Sequence, residues 1–231
     1  MLMALVAMAA GLAFAACKND NKDNLVGGGT ETAGWVDLGL PSGLLWAECN
    51  LGATKPEEYG DYYAWGETST KEVYTWETYM YCTAVDEEGW VKTLSKYNTD
   101  SVYGTPDHLT TLQPSDDVAT QKLGDGARMP TETDWRELIA NTSSRWTTEN
   151  GVYGRKLTAA NGKSLFFPAA GTSDGSGLHY AGGFGVYWSS SLYADYPYNA
   201  WGFAFYLSYQ SVYRDDRLYG FSVRAVCASQ N

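Results

Sequence analysis

Residues 187–226 read YWSSSLYADYPYNAWGFAFYLSYQSVYRDDRLYGFSVRAV, and the alternation inside this stretch predicts a β-strand over 201–207. Successive side chains of a strand point to opposite faces. One face is apolar and is predicted to be core, comprising Trp201, Phe203, Phe205 and Leu207. The other face is predicted to be an outward row, comprising Gly202, Ala204, Tyr206 and Ser208. A second strand should follow over 211–214, with Ser211 and Tyr213 opposite Val212, and then a turn over 214–217.

The remaining sequence predicts more short strands, because runs of aromatic and β-branched residues alternate with Gly, Pro and Asp. These strands are expected at 35–40, 44–49, 59–66, 152–159, 164–167, 186–190 and 221–226. The first two would be joined by a turn at Pro41, Ser42 and Gly43. Residues 67–112 show no sustained period and predict an irregular loop region.

Two segments predict helices. Ser115 would cap a helix over 115–123, because its hydroxyl can accept a hydrogen bond from the first backbone amides and acidic residues follow it. Thr131 would cap a second helix over 131–141, where Trp135, Leu138 and Ile139 recur at helical spacing. Many strands and two helices predict an α+β fold. No internal linker or repeat is visible, so residues 34–229 are expected to form one domain.

The composition favours a folded domain that does not bind nucleic acid. The chain has 231 residues, of which 44% are hydrophobic and 15% aromatic, enough to fill a substantial core. Sixteen Lys and Arg against 27 Asp and Glu give a net charge of −11. Such a charge repels phosphate backbones, so we expect no nucleic-acid partner.

The N-terminal segment resembles the signal of a bacterial lipoprotein. Residues 1–16 are uncharged, and Ala15 and Ala16 precede Cys17, the position of the lipidated cysteine in such signals. Residues 17–33 would then form a polar, Gly-rich tether. Asp20, soon after the cysteine, resembles a surface-export signal of Bacteroidetes lipoproteins. We therefore expect a lipid-anchored outer-membrane protein at the cell surface; the alternative is an N-terminal helix of the domain.

Three cysteines remain after Cys17, and an odd number cannot all pair. A bridge from Cys49 or Cys82 to Cys227 is chemically possible outside the cytoplasm. Three buried free thiols are the alternative. None of these residues has CxxC or metal-ligand spacing.

Several segments together are specific to one family: VDLGLPSGLLWAECNLGA, YGDYYAWGE, DDVATQKLGDGARMPTETDWREL, SLFFPAAGTSDG, GVYWSSS and GFSVRAV. They resemble the Fibrobacter succinogenes major paralogous domain, common in Bacteroidetes lipoproteins, and the resemblance spans 35–226. It implies a C-type-lectin-like fold, similar to that of formylglycine-generating enzymes, with many short antiparallel strands, two helices and long loops. Function does not follow from the fold, because the scaffold carries unrelated kinds of site.

Residues 187–226 also look like the variable region of a diversity-generating retroelement target. Such regions keep a fixed frame, here YWSSS, 199–201 and GFSVRAV, while adenines in Asn codons are replaced. The resemblance implies these ligand-binding positions: Tyr193, Ala194, Asp195, Tyr196, Tyr198, Gly202, Ala204, Tyr206, Ser208, Tyr209, Ser211, Tyr213, Arg214, Asp215, Asp216, Leu218 and Tyr219. The partner would be an unknown protein or glycan on another cell or a phage.

The same positions favour a binding surface on chemical grounds alone. Seven of them are tyrosines, which supply rigid amphipathic contact area at low entropy cost, as in antibody paratopes. Arg214, Asp215 and Asp216 would add directional polar contacts. The alternative is an ordinary solvated end of a Tyr-rich domain.

Other clusters give weaker hypotheses. Trp65, Trp76 and Trp90 could stack on sugar rings, which keeps open an undiversified carbohydrate-binding or fimbria-associated lipoprotein. The acids Asp86, Glu87, Glu88, Asp116 and Asp117 could bind calcium, but they lack a regular ligand spacing, and solvated charge is the expectation. We expect no metal and no cofactor.

No residue pattern indicates an enzyme. The only two histidines, His108 and His179, lie far apart in sequence and outside recognisable catalytic motifs. No pair of acids stands out as a glycosidase pair. Cys49, Cys82 and Cys227 do not reproduce the reactive pair that formylglycine-generating activity requires. We therefore expect a binding protein.

Overall fold

The computed structural model describes residues 34–124 and 126–229. Within them the chain forms fourteen strands and two α-helices, an α+β fold. The strands are β1 Trp35–Asp37, β2 Leu44–Ala47, β3 Cys82–Val85, β4 Val91–Leu94, β5 Ala127–Arg128, β6 Thr142–Glu149, β7 Val152–Ala159, β8 Ser164–Pro168, β9 Thr172–Asp174, β10 Gly177–His179, β11 Phe184–Leu192, β12 Asn199–Tyr206, β13 Tyr209–Asp216 and β14 Val226–Ala228. The helices are α1 Val118–Leu123 and α2 Glu132–Ala140.

The predicted signal, tether and lipidated Cys17 lie outside these residues. Among the helices of the described ranges, none has the length and apolar character needed to cross a membrane.

The strands assemble into small antiparallel sheets. The largest has the order β1-β2-β14-β5, and two three-stranded sheets have the orders β6-β7-β8 and β11-β12-β13. The pairs β3-β4 and β9-β10 form separate hairpins. The β11-β12-β13 sheet and its loops carry the predicted binding residues.

The central strand β12 is buried on both faces along most of its length. Phe203 and Phe205 pack with aromatic side chains of α2 and β8 in one core cluster. Ala204 points the other way and packs in a second cluster. The predicted outward row is therefore wrong at Ala204, which packs in this second core, and at Gly202, which is buried against the backbone of β11. The predicted core position is wrong at Leu207, which is 69% exposed in the turn after β12.

The helices begin where side chains satisfy their first amides. Thr131 caps α2 in a reciprocal capping box, which confirms the predicted cap. The cap predicted for α1 is wrong, because Asp117 rather than Ser115 accepts from the amides of Ala119 and Thr120. A carboxylate also interacts favourably with the positive end of the helix.

Several strand predictions agree with the structure. β7 has the predicted bounds, and β1, β2, β8, β11 and β12 lie within a few residues of theirs. The strand predicted at 59–66 is wrong, since Tyr63 makes only an isolated bridge with Phe221. At 221–226 only isolated bridges precede β14.

Other elements were missed. β6 and the β3-β4 hairpin lie where no strand was predicted. β13 starts two residues before the predicted strand over 211–214 and continues to Asp216. The turn predicted over 214–217 is therefore wrong, and the chain turns from Arg217 onward. Full pairing of β13 with β12 from Tyr209 to Asp216 explains the longer strand.

The structure contradicts both predictions for the cysteines, the bridge to Cys227 and the three free thiols. Cys49 and Cys82 are free thiols, so neither pairs with Cys227. Cys227 is disulfide-bonded, so three free thiols are also wrong. Burial raises the pKa of the Cys49 thiol to about 11 and also raises the pKa of Cys82. Both thiols are therefore protonated and weakly nucleophilic at neutral pH.

Candidate ligand-binding surface

The β12-β13 hairpin places four of the predicted residues on one face of its sheet. In the antiparallel register, Tyr206 lies opposite Tyr209 and Gly202 lies opposite Tyr213. Directly opposed residues share a face, and Ser211 shares it by the two-residue period of the strand. We call Tyr206, Tyr209, Ser211 and Tyr213 the tyrosine face. Its three aromatic side chains are 44% to 46% exposed.

Contacts within the tyrosine face hold three of its four side chains in place. The rings of Tyr206 and Tyr209 stack with their centroids 5.2 Å apart. The Tyr209 hydroxyl lies 2.6 Å from the Ser211 Oγ. Side chains ordered in advance lose less entropy on binding. The tyrosine face is thus a preorganised amphipathic surface.

A second group of predicted residues lies on the opposite face of the sheet. Arg214 follows Tyr213 in β13 and so points the other way. Its guanidinium lies 4.3 Å from the ring centroid of Tyr193 and 5.3 Å from that of Tyr196. We call Tyr193, Tyr196 and Arg214 the loop cluster. The expected single patch is therefore two surfaces, one on each face, separated by the edge strand β13.

The other predicted binding positions fall into three groups by the exposure of their side chains. Exposed residues are Ala194, Asp195 and Ser208. Half-buried residues are Tyr198, Asp215, Asp216 and Tyr219. Buried residues are Gly202, Ala204 and Leu218.

The three buried positions are not surface positions, contrary to expectation. An added Cβ at Gly202 would lie 2.5 Å from the carbonyl oxygen of Tyr187. Ala204 and Leu218 are 3% and 7% exposed within one core cluster. Close approach of neighbouring backbone and core side chains leaves these residues no access to a partner.

Two adjacent carboxylates end β13. Burial raises the pKa of Asp215 to about 6, and the charge of Asp216 adds to the shift. Burial also raises the pKa of Asp216, although the Asn199 amide donates to its carboxylate at 2.6 Å. The charge of Asp215 in turn raises the pKa of Tyr213. Negative charge therefore collects at one end of the tyrosine face.

Arg155, which the sequence analysis did not single out, holds the β12-β13 turn. Its Nη2 donates to the carbonyl oxygens of Tyr206, Leu207 and Tyr209 at 2.5, 3.3 and 3.2 Å. The residue is 6% exposed. Three charge-assisted hydrogen bonds from one side chain fix the backbone that carries two of the exposed tyrosines.

Arg217 holds the loop over 193–198 in the same way, by hydrogen bonds to backbone carbonyls. Its Nη1 donates to the carbonyl oxygens of Pro197 at 2.6 Å and Tyr97 at 3.0 Å, and its Nη2 donates to that of Lys96 at 3.1 Å. Its Nε donates to the Tyr79 hydroxyl at 2.9 Å. Arg217 is fully buried. In the sequence it looks like a surface arginine in a turn, so no signal distinguished it.

The alternative tryptophan site is wrong for two of its three residues. Trp65 and Trp76 are 0% and 3% exposed and belong to the core, so neither can stack on a sugar. Trp90 is 62% exposed.

Two of the acidic residues considered as calcium ligands, Asp116 and Asp117, instead form hydrogen bonds within the protein. Asp117 is 4% exposed and caps α1, whereas solvated charge was expected. Asp116 accepts from Lys96 and from the Tyr97 hydroxyl, so it is also not simply solvated. Among the described residues, no three His, Cys, Asp or Glu side chains cluster as metal ligands.

Asp174, Ser176 and His179 meet at the β9-β10 hairpin, but not with the geometry of a catalytic triad. Ser176 Oγ and Asp174 Oδ1 lie 2.9 and 3.2 Å from the same His179 nitrogen, Nε2. In a triad the carboxylate bonds the other ring nitrogen and orients the imidazole toward the hydroxyl. Ser176 also donates to Asp174 at 2.8 Å. The three side chains form a hydrogen-bonded turn.

Comparison with known proteins gives one family match. Residues 156–226 match the model of a family described as Domain of unknown function (DUF8237). The matched segment runs from within β7 to the start of β14 and includes the tyrosine face and the loop cluster. No curated protein and no solved structure matches the chain.

Proposed function

We propose that this chain is a ligand-binding lipoprotein on the surface of a bacterial outer membrane, and that the tyrosine face and the loop cluster contact its partner. The observation that supports this most is the set of three tyrosines on two adjacent strands, each 44% to 46% exposed, two of which stack on each other. The partner is a protein or glycan on another cell or a phage.

The chemistry of these surfaces suits recognition. Tyr and Arg are the residue types that most often dominate binding energy at interfaces, and a central one contributes about 2 kcal/mol. The tyrosine face offers Tyr206, Tyr209 and Tyr213, and the loop cluster offers Arg214 stacked on Tyr193. A partner that covered either surface would bury aromatic area at low entropic cost.

We further propose a C-type-lectin-like scaffold. Support comes from the mostly antiparallel strands in several small sheets, from the two helices, and from the sequence segments that resemble the Fibrobacter succinogenes major paralogous domain. On such a scaffold, loops and an edge strand present the binding residues while the core stays constant.

We also propose that a retroelement diversifies the surface. The exposed residues Tyr206, Ser208, Tyr209, Tyr213 and Arg214 all belong to the set reachable from Asn codons by replacing adenines. Phe203 and Phe205, which alternate with these positions and are not among them, are buried. Exposure thus separates the interspersed positions from the frame, except at the three buried positions described above.

The membrane anchor is a proposal from residues 1–33. Metabolic labelling with an alkyne fatty acid should tag the wild-type chain and leave Cys17→Ser untagged. A thioether and a disulfide cannot share the Cys17 sulfur, so a peptide map in which Cys17 is disulfide-bonded would contradict the anchor. Wild-type protein that carries no label and retains residues 1–16 would contradict the anchor.

The binding function is tested with arrays of surface proteins and glycans. A partner that binds the wild-type protein should lose at least about tenfold in affinity when Tyr206, Tyr209 and Tyr213 are replaced together by Ala. The control replaces Trp90 and Tyr153, which are 62% and 53% exposed outside both surfaces, and should bind normally. Unchanged binding by the triple variant and by Arg214→Ala would refute the proposal.

A further inference from the structure

The edge strand β13 presents a row of backbone groups that the fold does not use. β13 is the last strand in the order β11-β12-β13, and none of the isolated bridges among the described residues involves it. A strand at the edge of a sheet has one side whose N–H and C=O groups point away from the ladder. Those groups are available to a partner.

The register shows which residues of β13 face outward. The two-residue turn after β12 is closed by the pair Tyr206 and Tyr209, from which hydrogen-bonded pairs alternate with non-hydrogen-bonded pairs. At the other end of the hairpin, the Arg217 amide donates to the Tyr198 carbonyl oxygen at 3.0 Å, which gives the same alternation. The odd-numbered residues of β13 therefore bond β12, and the even-numbered residues point their backbone groups outward.

Three outward residues form a continuous row, Gln210, Val212 and Arg214. In the part of the chain that the structure describes, no hydrogen bond outside the sheet ladder uses their amides or carbonyl oxygens. The row ends at Asp216, whose amide donates to the Asp215 carboxylate at 2.9 Å. We call the backbone groups of Gln210, Val212 and Arg214 the free edge.

The free edge lacks the devices that keep most edge strands from pairing. Charged residues, proline and β-bulges are the common ones. Residues 209–213 read YQSVY, without charge or proline, and β13 pairs with β12 along its whole length without a shift of register. The other long edge strand, β6, has the charged residue Arg145 near its middle. The free edge of β13 therefore favours pairing with another strand.

The chemistry of the free edge specifies its occupant. Amides and carbonyl oxygens at every second residue match the backbone of another extended chain, which is the basis of β-strand addition. A glycan has no such alternating row of amides and carbonyls. A second copy of this chain is disfavoured, because each copy carries a net charge of −11 and the two repel each other. An extended segment of a different protein fits best.

The free edge also joins the two surfaces of the proposed function. Ser211 and Tyr213 project on one face of β13, and Arg214 projects on the other. Side chains of an added strand alternate between faces, so they would lie beside the tyrosine face and the loop cluster in turn. One extended segment can thus contact both surfaces, whereas a partner docked on one face reaches only one of them.

We propose that the free edge of β13 receives an extended segment of a protein partner as an added strand. The segment carries aromatic or β-branched side chains over the tyrosine face, since these pair favourably with aromatic residues across strands. This inference rests on the proposed function and narrows the partner to a protein.

The probe is a random peptide library selected on the full-length protein. Selected peptides should carry aromatic or β-branched residues at alternate positions. At saturating peptide, hydrogen exchange at the amides of Gln210, Val212 and Arg214 should slow at least about tenfold, because these amides gain hydrogen bonds. The amides of Ser211 and Tyr213 are already bonded in the ladder and should change less.

Methylation of the peptide backbone tests the hydrogen bonds themselves on the wild-type protein. Each peptide amide is replaced in turn by its N-methyl form. Binding should weaken at least about fivefold at every second position, where a hydrogen bond to β13 is lost, and should stay within about twofold at the positions between. A partner that docks by its side chains alone gives no such period.

Two proline variants test the same hydrogen bonds from the side of the protein. Val212→Pro removes the central outward amide without removing a ladder bond, and should weaken peptide binding at least about fivefold. Val212→Ala shortens the same side chain but keeps the amide, and should stay within about twofold of wild type. Thr148→Pro makes the matching change on the edge strand β6 and should bind normally.

The outcomes separate this inference from the proposed function. Unchanged exchange at 210, 212 and 214, with loss of binding when Tyr206, Tyr209 and Tyr213 are replaced together by Ala, refutes the added strand and leaves the proposed function intact. Loss of binding in Val212→Pro but not in the triple variant supports the added strand and refutes the tyrosine face.

Other results overturn the inference outright. They are a methylation scan without a period of two, a library that yields no binder, and self-association of the wild-type protein that protects the amides at 210, 212 and 214. The last result would assign the free edge to a second copy of the chain. If Val212→Pro lowers Tm more than Val212→Ala does, the methylation scan on the wild-type protein decides.

Discussion

Replacing Arg217 with Met should destabilise the protein by about 4 kcal/mol. The buried guanidinium donates to three carbonyl oxygens and the Tyr79 hydroxyl. Each buried acceptor left without its donor costs at least about 1 kcal/mol. Met fills similar space but donates to none of them. The loop over 193–198 should lose its attachment at Pro197.

The size of this effect can be measured directly. Nine tryptophans report unfolding in urea by fluorescence, and the midpoint gives the free energy of unfolding. For a chain of this size, 4 kcal/mol corresponds to a fall in Tm of about 8–16 °C. Amide exchange over 193–198 should also speed up, because the tie between loop and scaffold is gone.

Arg214→Met is the matched control. Arg214 lies three residues earlier, is exposed, and contacts only the faces of Tyr193 and Tyr196 among the cation–π pairs of the described residues. Its replacement should cost about 1 kcal/mol or less, because an exposed cation–π contact contributes little. A loss below about 1 kcal/mol in Arg217→Met, or equal losses in both variants, would show that the hydrogen bonds of Arg217 do not hold the loop as argued.

Two further predictions concern the same sheet. The pKa of Asp215 is raised to about 6 in the folded chain. Between about pH 4 and pH 6 the folded chain therefore binds the carboxyl proton of Asp215 more tightly than the unfolded chain does. The free energy of unfolding should fall as pH rises through that window. Asp215→Asn should flatten this dependence and stabilise the protein at pH 7 by about 1–2 kcal/mol, measured by urea unfolding across pH; a wild-type slope would contradict it. Gly202→Ala should cost about 1–3 kcal/mol in the same assay, because its Cβ meets the Tyr187 carbonyl, and a neutral result would mean that β11 can shift. Ser211→Ala, on the same face but half-buried, is the control and should stay within about 0.5 kcal/mol.

Local patterns predicted the elements whose signals lie in neighbouring residues. Thr131 and the apolar spacing after it placed α2, since capping and helical periodicity act within one or two turns. The alternation over 201–207 placed β12 for the same reason. Of the face assignments, Phe203 and Phe205 are core and Tyr206 and Ser208 are exposed, as predicted.

Tertiary contacts decided the rest. A small residue on the polar side of an alternating strand looks exposed. Ala204, however, packs in a second core, and an added Cβ at Gly202 would meet the carbonyl oxygen of Tyr187. Residues 193 and 214 come from different segments, and only the fold shows that they meet on one face while Tyr213 lies on the other.

The site residues that the sequence analysis missed also depend on contacts between segments distant in sequence. Arg155 and Arg217 act on backbone carbonyls distant in sequence, which no local pattern reveals.

Sequencing the encoding locus tests the central claim most directly. The proposed diversified binding surface predicts a nearby reverse transcriptase and a near-copy of the codons for 187–226 that differs only at adenines. The mismatches should fall on exposed positions such as Tyr206, Tyr209, Tyr213 and Arg214. A locus with neither element, or a copy whose differences fall on the buried Phe203 and Phe205, would contradict the account.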